Sequence, residues 1–258
     1  MPPPHIKIKK VKEFSFEDLP MSFTMILVAP PGSGKTEFIV NLCYYLKHRY
    51  PVARVFCGTE TGYERMCKIF PPLYVSNYYD TEEEKKHIHR QRWCAINNGK
   101  EYAGNPAINI LDDVTNDPRV LKGKEVSALF KLGSQHYNQA CLVGMQYSKD
   151  PGSDIRNAVS YVCIGRQPDI DERDKLYKQY AGIVGDKDTF NDLMDQLTGA
   201  FTFLIIKKRS QSNELEDCVF YYTTEDMTQK KWKFGCKEYR KWAKKRYDQN
   251  YQEAIYDI

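Results

Sequence analysis

Short apolar runs alternate with longer polar, helical stretches along the chain. The runs occupy residues 23–28, 52–57, 107–111, 140–144, 161–165, 201–206 and 218–222. The first five are continuous and rich in Ile, Val and Leu, as expected of strands covered on both faces of a parallel sheet. The intervening pattern predicts helices over 35–48, 82–97, 123–138, 171–180 and 188–197. This alternation predicts an α/β domain with a mostly parallel sheet flanked by helices. The last two runs are separated by the polar turn 207–217 and predict an antiparallel hairpin added at the sheet edge. Residues 6–9 are a candidate for a further edge strand. After Thr223 the chain turns polar, basic and aromatic, with a helix expected from Lys237 onwards. The expected divisions are an N-terminal extension or edge strand at 1–20, the α/β domain at 21–222 and a basic aromatic tail at 223–258.

Composition adds boundaries to this picture. Of 258 residues, 41% are hydrophobic and 28% charged, enough to bury a core and too apolar for a disordered chain. The net charge of +4 hides an asymmetry. Between Gln229 and Arg246 nine basic residues face one acid, Glu238, so +8 sits in that stretch and the remainder is slightly acidic. A basic stretch of this kind suits a polyanionic partner or a solvated helix. The eight cysteines show no CxxC pair and no zinc-ligand spacing, and several lie in apolar runs, which points to free thiols in a reducing compartment. No window approaches eighteen uninterrupted apolar residues, and Met-Pro-Pro-Pro-His opens no stretch of signal-peptide length. A soluble intracellular protein without membrane association is expected.

The candidate chemistry begins directly after the first run. Ala29-Pro30-Pro31-Gly32-Ser33-Gly34-Lys35-Thr36 follows residues 23–28 and leads into Glu37-Phe38-Ile39-Val40, the strand–loop–helix setting that a phosphate-binding P-loop requires. Pro31 to Gly34 form the loop, whose glycines let backbone N–H groups wrap phosphates at a helix N-terminus. Lys35 would reach the β- and γ-phosphates, and the Thr36 hydroxyl would bind Mg²⁺. Ala29 replaces the usual first glycine and leaves the cradle complete.

Ala107-Ile108-Asn109-Ile110-Leu111-Asp112-Asp113 is an apolar strand ending in two carboxylates, at the strand end where α/β sheets bind ligands. Asp112 suits the Mg²⁺ role, and Asp113 that of general base for an attacking water. Gln146 ends the next run, where a neutral amide can touch both the γ-phosphate and that water. Tyr147-Ser148-Lys149-Asp150 lacks the Asn and the spacing of a guanine-reading motif, which favours ATP over GTP. Arg90, Arg92, Arg156 and Arg166 are candidates for stabilising charge on the γ-phosphate, from within the chain or from a neighbouring subunit.

Taken in order, Ala-Pro-Pro-Gly-Ser-Gly-Lys-Thr, Ile-Leu-Asp-Asp, a strand ending in Gln146 and Ile155-Arg156-Asn157 before Tyr161-Val162 resemble the genome-packaging ATPases of nucleocytoplasmic large DNA viruses and their relatives in the FtsK–HerA class. The resemblance continues through Arg173-Asp174-Lys175-Leu176-Tyr177, Ser212-Asn213-Glu214-Leu215-Glu216-Asp217 and the aromatic–Lys–Phe–Gly element at 232–235, covering roughly residues 21–242. It differs in one position, because cellular members commonly carry Glu where Asp113 stands. The resemblance implies a RecA/ASCE-like P-loop fold and a ring-forming, ATP- and Mg²⁺-dependent motor. Such a motor drives double-stranded DNA, without regard to sequence, into a preformed capsid. It also implies a capsid or portal partner and a place in the host cytoplasm, the virus factory or the virion. It carries Asp113, Lys35, Gln146 and Arg156 as catalytic residues, residues 31–36 as nucleotide-binding and Thr36 with Asp112 as metal-binding. Two other readings fit the same nucleotide chemistry: a nucleotide-switched binding or assembly protein, and a P-loop DNA helicase.

Overall fold

A computed structural model describes residues 11–97, 105–212 and 214–248. Among the described residues nine strands form one sheet: β1 (Lys12–Glu13), β2 (Thr24–Val28), β3 (Val52–Cys57), β4 (Val75–Ser76), β5 (Ala107–Asp112), β6 (Gln139–Met145), β7 (Tyr161–Ile164), β8 (Thr202–Lys207) and β9 (Val219–Thr223). Their order is β1-β9-β8-β7-β2-β6-β5-β3-β4. The five Ile/Val/Leu-rich runs form the contiguous parallel block β7-β2-β6-β5-β3. β8 runs antiparallel to both β7 and β9, so the expected hairpin is present. It is not the outermost element, because β1 pairs in parallel with β9 beyond it. The edge strand expected at 6–9 lies outside the described residues.

Alternating residues of β2 explain its unbroken apolar run. Met25 and Leu27 enter one core with Phe38, Leu42 and Phe234, while Ile26 and Val28 enter a second with Phe130, Leu176 and Phe190. Both faces are therefore covered by helices. The first face carries α1 (Lys35–Leu46) and α2 (Glu60–Ile69), and the latter was not apparent from the periodicity. α3 (Thr81–Asn97) follows β4. The helix expected over 123–138 is present from Lys124 to His136 and carries a π-helical turn at Leu129–Gly133. At the end of that turn Gly133 lets the helix lie close to β6, since a Cβ there would lie 2.8 Å from Gln139 Oε1.

α3 turns a polar face inward. Glu84, His87 and Gln91 are buried along it, and the Glu84 carboxylate accepts a hydrogen bond from the amide of Asn109 in β5. Gln91 Nε2 donates to the carbonyls of Asn105 and Tyr137, both at 3.1 Å. Burial pushes the Glu84 carboxyl up from an ordinary 4.5 to about 8, against the opposing pull of Arg54 and the Asn109 hydrogen bond. The folded state thus holds a proton that the unfolded chain releases near pH 4.5. Stability contributed by this group is full below that pH and is lost as pH rises through about 8. Glu84→Gln keeps the shape and removes the titration. Thermal melts from pH 4 to 9 are expected to show the variant gaining on the wild type above about pH 5 and the gap levelling off above about pH 8. Parallel melting curves would refute the assignment.

Candidate nucleotide site

The phosphate loop begins where β2 ends. Ala29 N donates to Met145 O at 3.0 Å, carrying the β2–β6 ladder one residue further. Ser33 closes the turn by donating from N (3.3 Å) and Oγ (2.5 Å) to Pro30 O. Gly32 (φ 76°) and Gly34 (φ 92°) take left-handed backbone conformations that are costly for residues with a Cβ. Gly34 is the N-cap of α1, and its carbonyl accepts from Phe38 N at 2.9 Å. The first N–H groups of α1 have no partner within the helix and are free to meet an anion.

Lys35, Thr36, Asp112 and Asp113 meet at this helix end. The Lys35 ammonium contacts the Asp113 carboxylate and lies 3.9 Å from Asp112 Oδ1. Thr36 Oγ1 donates to Asp112 Oδ2 at 3.4 Å. Asp112 is fully buried. Burial pushes its carboxyl up to about 6, with Lys35 pulling it down and Asp113 pushing it further up. Among the described residues its Oδ1 accepts no hydrogen bond. A buried acid with a spare oxygen beside a hydroxyl is a donor pair suited to Mg²⁺, which takes one or two protein oxygens and keeps its remaining positions for waters and phosphates. Among the described residues no group of three His, Cys, Asp or Glu side chains could hold a metal, so a cation here would need the nucleotide to complete its shell.

Two glycines not singled out by the sequence reasoning make room for the acids. A Cβ on Gly144 would stand 2.8 Å from Asp112 Oδ1, and one on Gly58 would stand 2.4 Å from the Asp113 carbonyl oxygen. Asp113 leaves β5 in the left-handed region at φ 55°, with its N–H donating to Gly144 O at 3.2 Å. Both glycines sit at the ends of apolar runs, the only signal available for them.

Gln146 is half-buried one residue past β6, on the same sheet edge. Lys149 donates to Thr115 O (2.7 Å) and Asn116 Oδ1 (3.3 Å), tying together the loops that follow β5 and β6. None of the four candidate arginines forms an ion pair or hydrogen bond with Asp112 or Asp113 among the described residues. Arg156 faces Asp150 at 3.7 Å, and Arg90 donates to the Gln91 side chain. Arg92 and Arg166 are exposed, Arg166 two residues past β7 on the edge that carries the loop.

Comparison with known proteins gives this geometry a setting. No family model matches the chain. Protein 088R of Invertebrate iridescent virus 3, itself uncharacterized, is 34% identical over 226 residues, spanning 86% of this chain and 84% of the relative. The uncharacterized protein 075L of Invertebrate iridescent virus 6 is 32% identical over 231 residues, spanning 89% and 88%. The chain belongs to this family of iridescent-virus proteins. Among solved structures, the genome-packaging NTPase B204 of Sulfolobus turreted icosahedral virus 2, in complex with ATP-γS, superposes with a TM-score of 0.55 at 13% identity. The match covers 80% of this chain and 99% of B204. At that identity the likeness is one of fold, and it agrees with the P-loop architecture expected from the sequence. The eight cysteines are all free, and among the described residues no helix is long and apolar enough to cross a membrane.

Proposed function

We propose that the chain is an ATP-hydrolysing, ring-forming motor that moves double-stranded viral DNA into a preformed capsid. The observation that carries the reading is the convergence of Lys35, Thr36, Asp112 and Asp113 on one helix N-terminus, at the carboxyl edge of the parallel block. The relation to iridescent-virus proteins and the fold shared with a viral genome-packaging NTPase support it.

In this account the N–H groups of residues 31–36 bind the phosphates of ATP. Lys35 moves from Asp113 onto the terminal phosphates, which frees the Asp113 carboxylate to take a proton from the attacking water. Gln146 orients that water. Thr36 and Asp112 would hold Mg²⁺, which neutralises charge developing on the phosphates. An arginine from a neighbouring subunit, Arg156 or another of the four, completes the charge stabilisation and makes turnover depend on assembly.

The C-terminal helix Lys237–Arg246 supplies a DNA-facing surface. Lys241, Lys244 and Lys245 are exposed, and Tyr239 holds the helix down through a hydrogen bond from its hydroxyl to Ala53 O at 2.7 Å. Trp242, three residues beyond Tyr239, is exposed, with the Arg246 guanidinium 3.3 Å from its ring centroid. Outward lysines attract phosphates without reading sequence, as a DNA pump requires. The test is Mg²⁺-dependent ATP hydrolysis with and without long duplex DNA, and duplex binding across a salt series. Duplex DNA is expected to stimulate hydrolysis. Replacing Lys241, Lys244 and Lys245 by Ala is expected to flatten the log–log salt slope by about 0.9 for each phosphate that the helix no longer neutralises. An unchanged slope would remove this helix from the DNA surface, and a protein that hydrolyses no ATP in either condition would refute the motor.

A further inference from the structure

Phe201 stands apart from the fold's economy. It opens the run read as strand 201–206, yet β8 begins only at Thr202 and Phe201 has φ 62°, a left-handed conformation unfavourable for a bulky residue. The residue is 45% exposed. Its ring covers the phosphate loop so closely that a Cβ on Gly34 would meet its Cδ1 at 2.4 Å. An aromatic held in a strained backbone beside a ligand loop suggests a role in that ligand's binding.

The sheet order indicates which part of the ligand lies there. Asp112 and Asp113, which mark the terminal-phosphate end, belong to β5 and its end, separated from β2 by β6. The sugar and base of a nucleotide lie at the opposite end of the phosphate chain, and so run from the loop toward β7, β8 and β9. On that side a cavity of about 450 Å³ opens between Ala200–Phe201, the segment from Thr223 to Thr228 and Glu37 of α1. Its lining carries Glu37, paired with Arg65, Glu225, paired with Lys230, and Asp226, and among the described residues no lysine or arginine that could hold a phosphate. The cavity therefore suits the uncharged end of a nucleotide.

The cavity is also fixed to the phosphate loop. Thr224 N donates to Phe201 O at 2.9 Å, joining its two walls. Buried Asn41 of α1 accepts from Glu225 N (2.8 Å) and from the Tyr222 hydroxyl (2.9 Å), and its amide donates to the carbonyls of Glu225 (3.0 Å) and Glu37 (2.9 Å). The helix that begins the phosphate site thus also anchors this wall, so the two half-sites are preorganised together.

We propose that Phe201 is the platform on which the nucleotide's purine base stacks, with the cavity beside it enclosing base and ribose. This rests on the nucleotide-binding reading of the loop given above. The experiment compares equilibrium binding of Mg·ATP and of Mg·tripolyphosphate, which has the phosphates without the base, to the wild type, Phe201→Ala, Phe201→Leu and Phe201→Tyr. Stacking predicts that Phe201→Ala weakens ATP by roughly 10- to 100-fold and that Phe201→Tyr stays within about 3-fold of wild type. Phe201→Leu, which keeps bulk without a π face, is expected to fall between them. Tripolyphosphate binding should remain within about 3-fold throughout. Equal weakening of both ligands would mean that Phe201 only shapes the loop, and no weakening of ATP would mean that it touches nothing in the complex; either overturns the proposal. A wild type that binds neither ligand would instead overturn the phosphate-loop reading and the stacking proposal with it. Thermal melts of each variant identify any that fails to fold, and the Leu and Tyr pair then carries the comparison.

Discussion

Asp113→Asn is expected to bind Mg·ATP as the wild type does and to hydrolyse it about 10²–10⁴-fold more slowly. The amide keeps the size of the carboxylate and loses its basicity, so the water loses its proton acceptor while the phosphate cradle stays intact. Lys35→Ala is expected to behave differently. It removes the cation that pairs with Asp113 and lies 3.9 Å from Asp112, leaving two adjacent carboxylates without a counter-charge. Phosphate affinity should fall by roughly 10- to 100-fold, the scale of one charge-assisted hydrogen bond. Binding measured by a fluorescent nucleotide and single-turnover hydrolysis separate the two variants. Normal turnover in Asp113→Asn would remove the base assignment, and normal affinity in Lys35→Ala would remove the phosphate role of Lys35.

Phe234→Ala is expected to cost about 3–5 kcal/mol of stability in a denaturant titration. The ring is fully buried, 4.7 Å from that of Phe70 between centroids, and the backbone N–H of Phe234 donates to Ile69 O at 3.0 Å. Gly235 follows at φ 81°, with no room for a Cβ against Tyr239, and Cys236 N donates to Pro51 O at 2.9 Å. Together these interactions seat the basic helix on the first core. Trp242→Ala, by contrast, removes an exposed ring and should change stability by less than about 0.5 kcal/mol. A Phe234→Ala variant as stable as wild type would mean that the tail is not anchored through this core.

The parallel block could be read from the chain because each strand is buried on both faces, which forces uninterrupted apolar runs such as Met25 to Val28. The candidate phosphate loop and the Asp112–Asp113 pair could be picked out in the chain because the chemistry proposed for them is local, with every atom it needs within a few residues or at a strand end. What could not be read depends on distant partners. Glu84 and Asn109 are 25 residues apart, and charged positions in 82–97 pattern like a solvated helix until β5 is seen beneath them. α2 escaped notice because it buries little beyond Gly62, Met66 and Ile69. Phe201 looked like the first residue of a strand, since an apolar run does not reveal a backbone turn at φ 62°. Tyr239 and Trp242 lie three apart on the helix, but the buried pair is Tyr239 and Ala243, four apart, which leaves Trp242 exposed.

The most direct test of a DNA-moving motor is ATP-driven displacement of a triplex-forming strand from the end of a long duplex. The wild type is expected to strip the third strand only with Mg·ATP, to leave the two duplex strands paired and to act more slowly on longer tracks. Asp113→Asn should bind the same duplex and displace nothing. Efficient ATP hydrolysis on duplex DNA with the triplex left in place would contradict translocation, and separation of the duplex strands would identify a helicase instead.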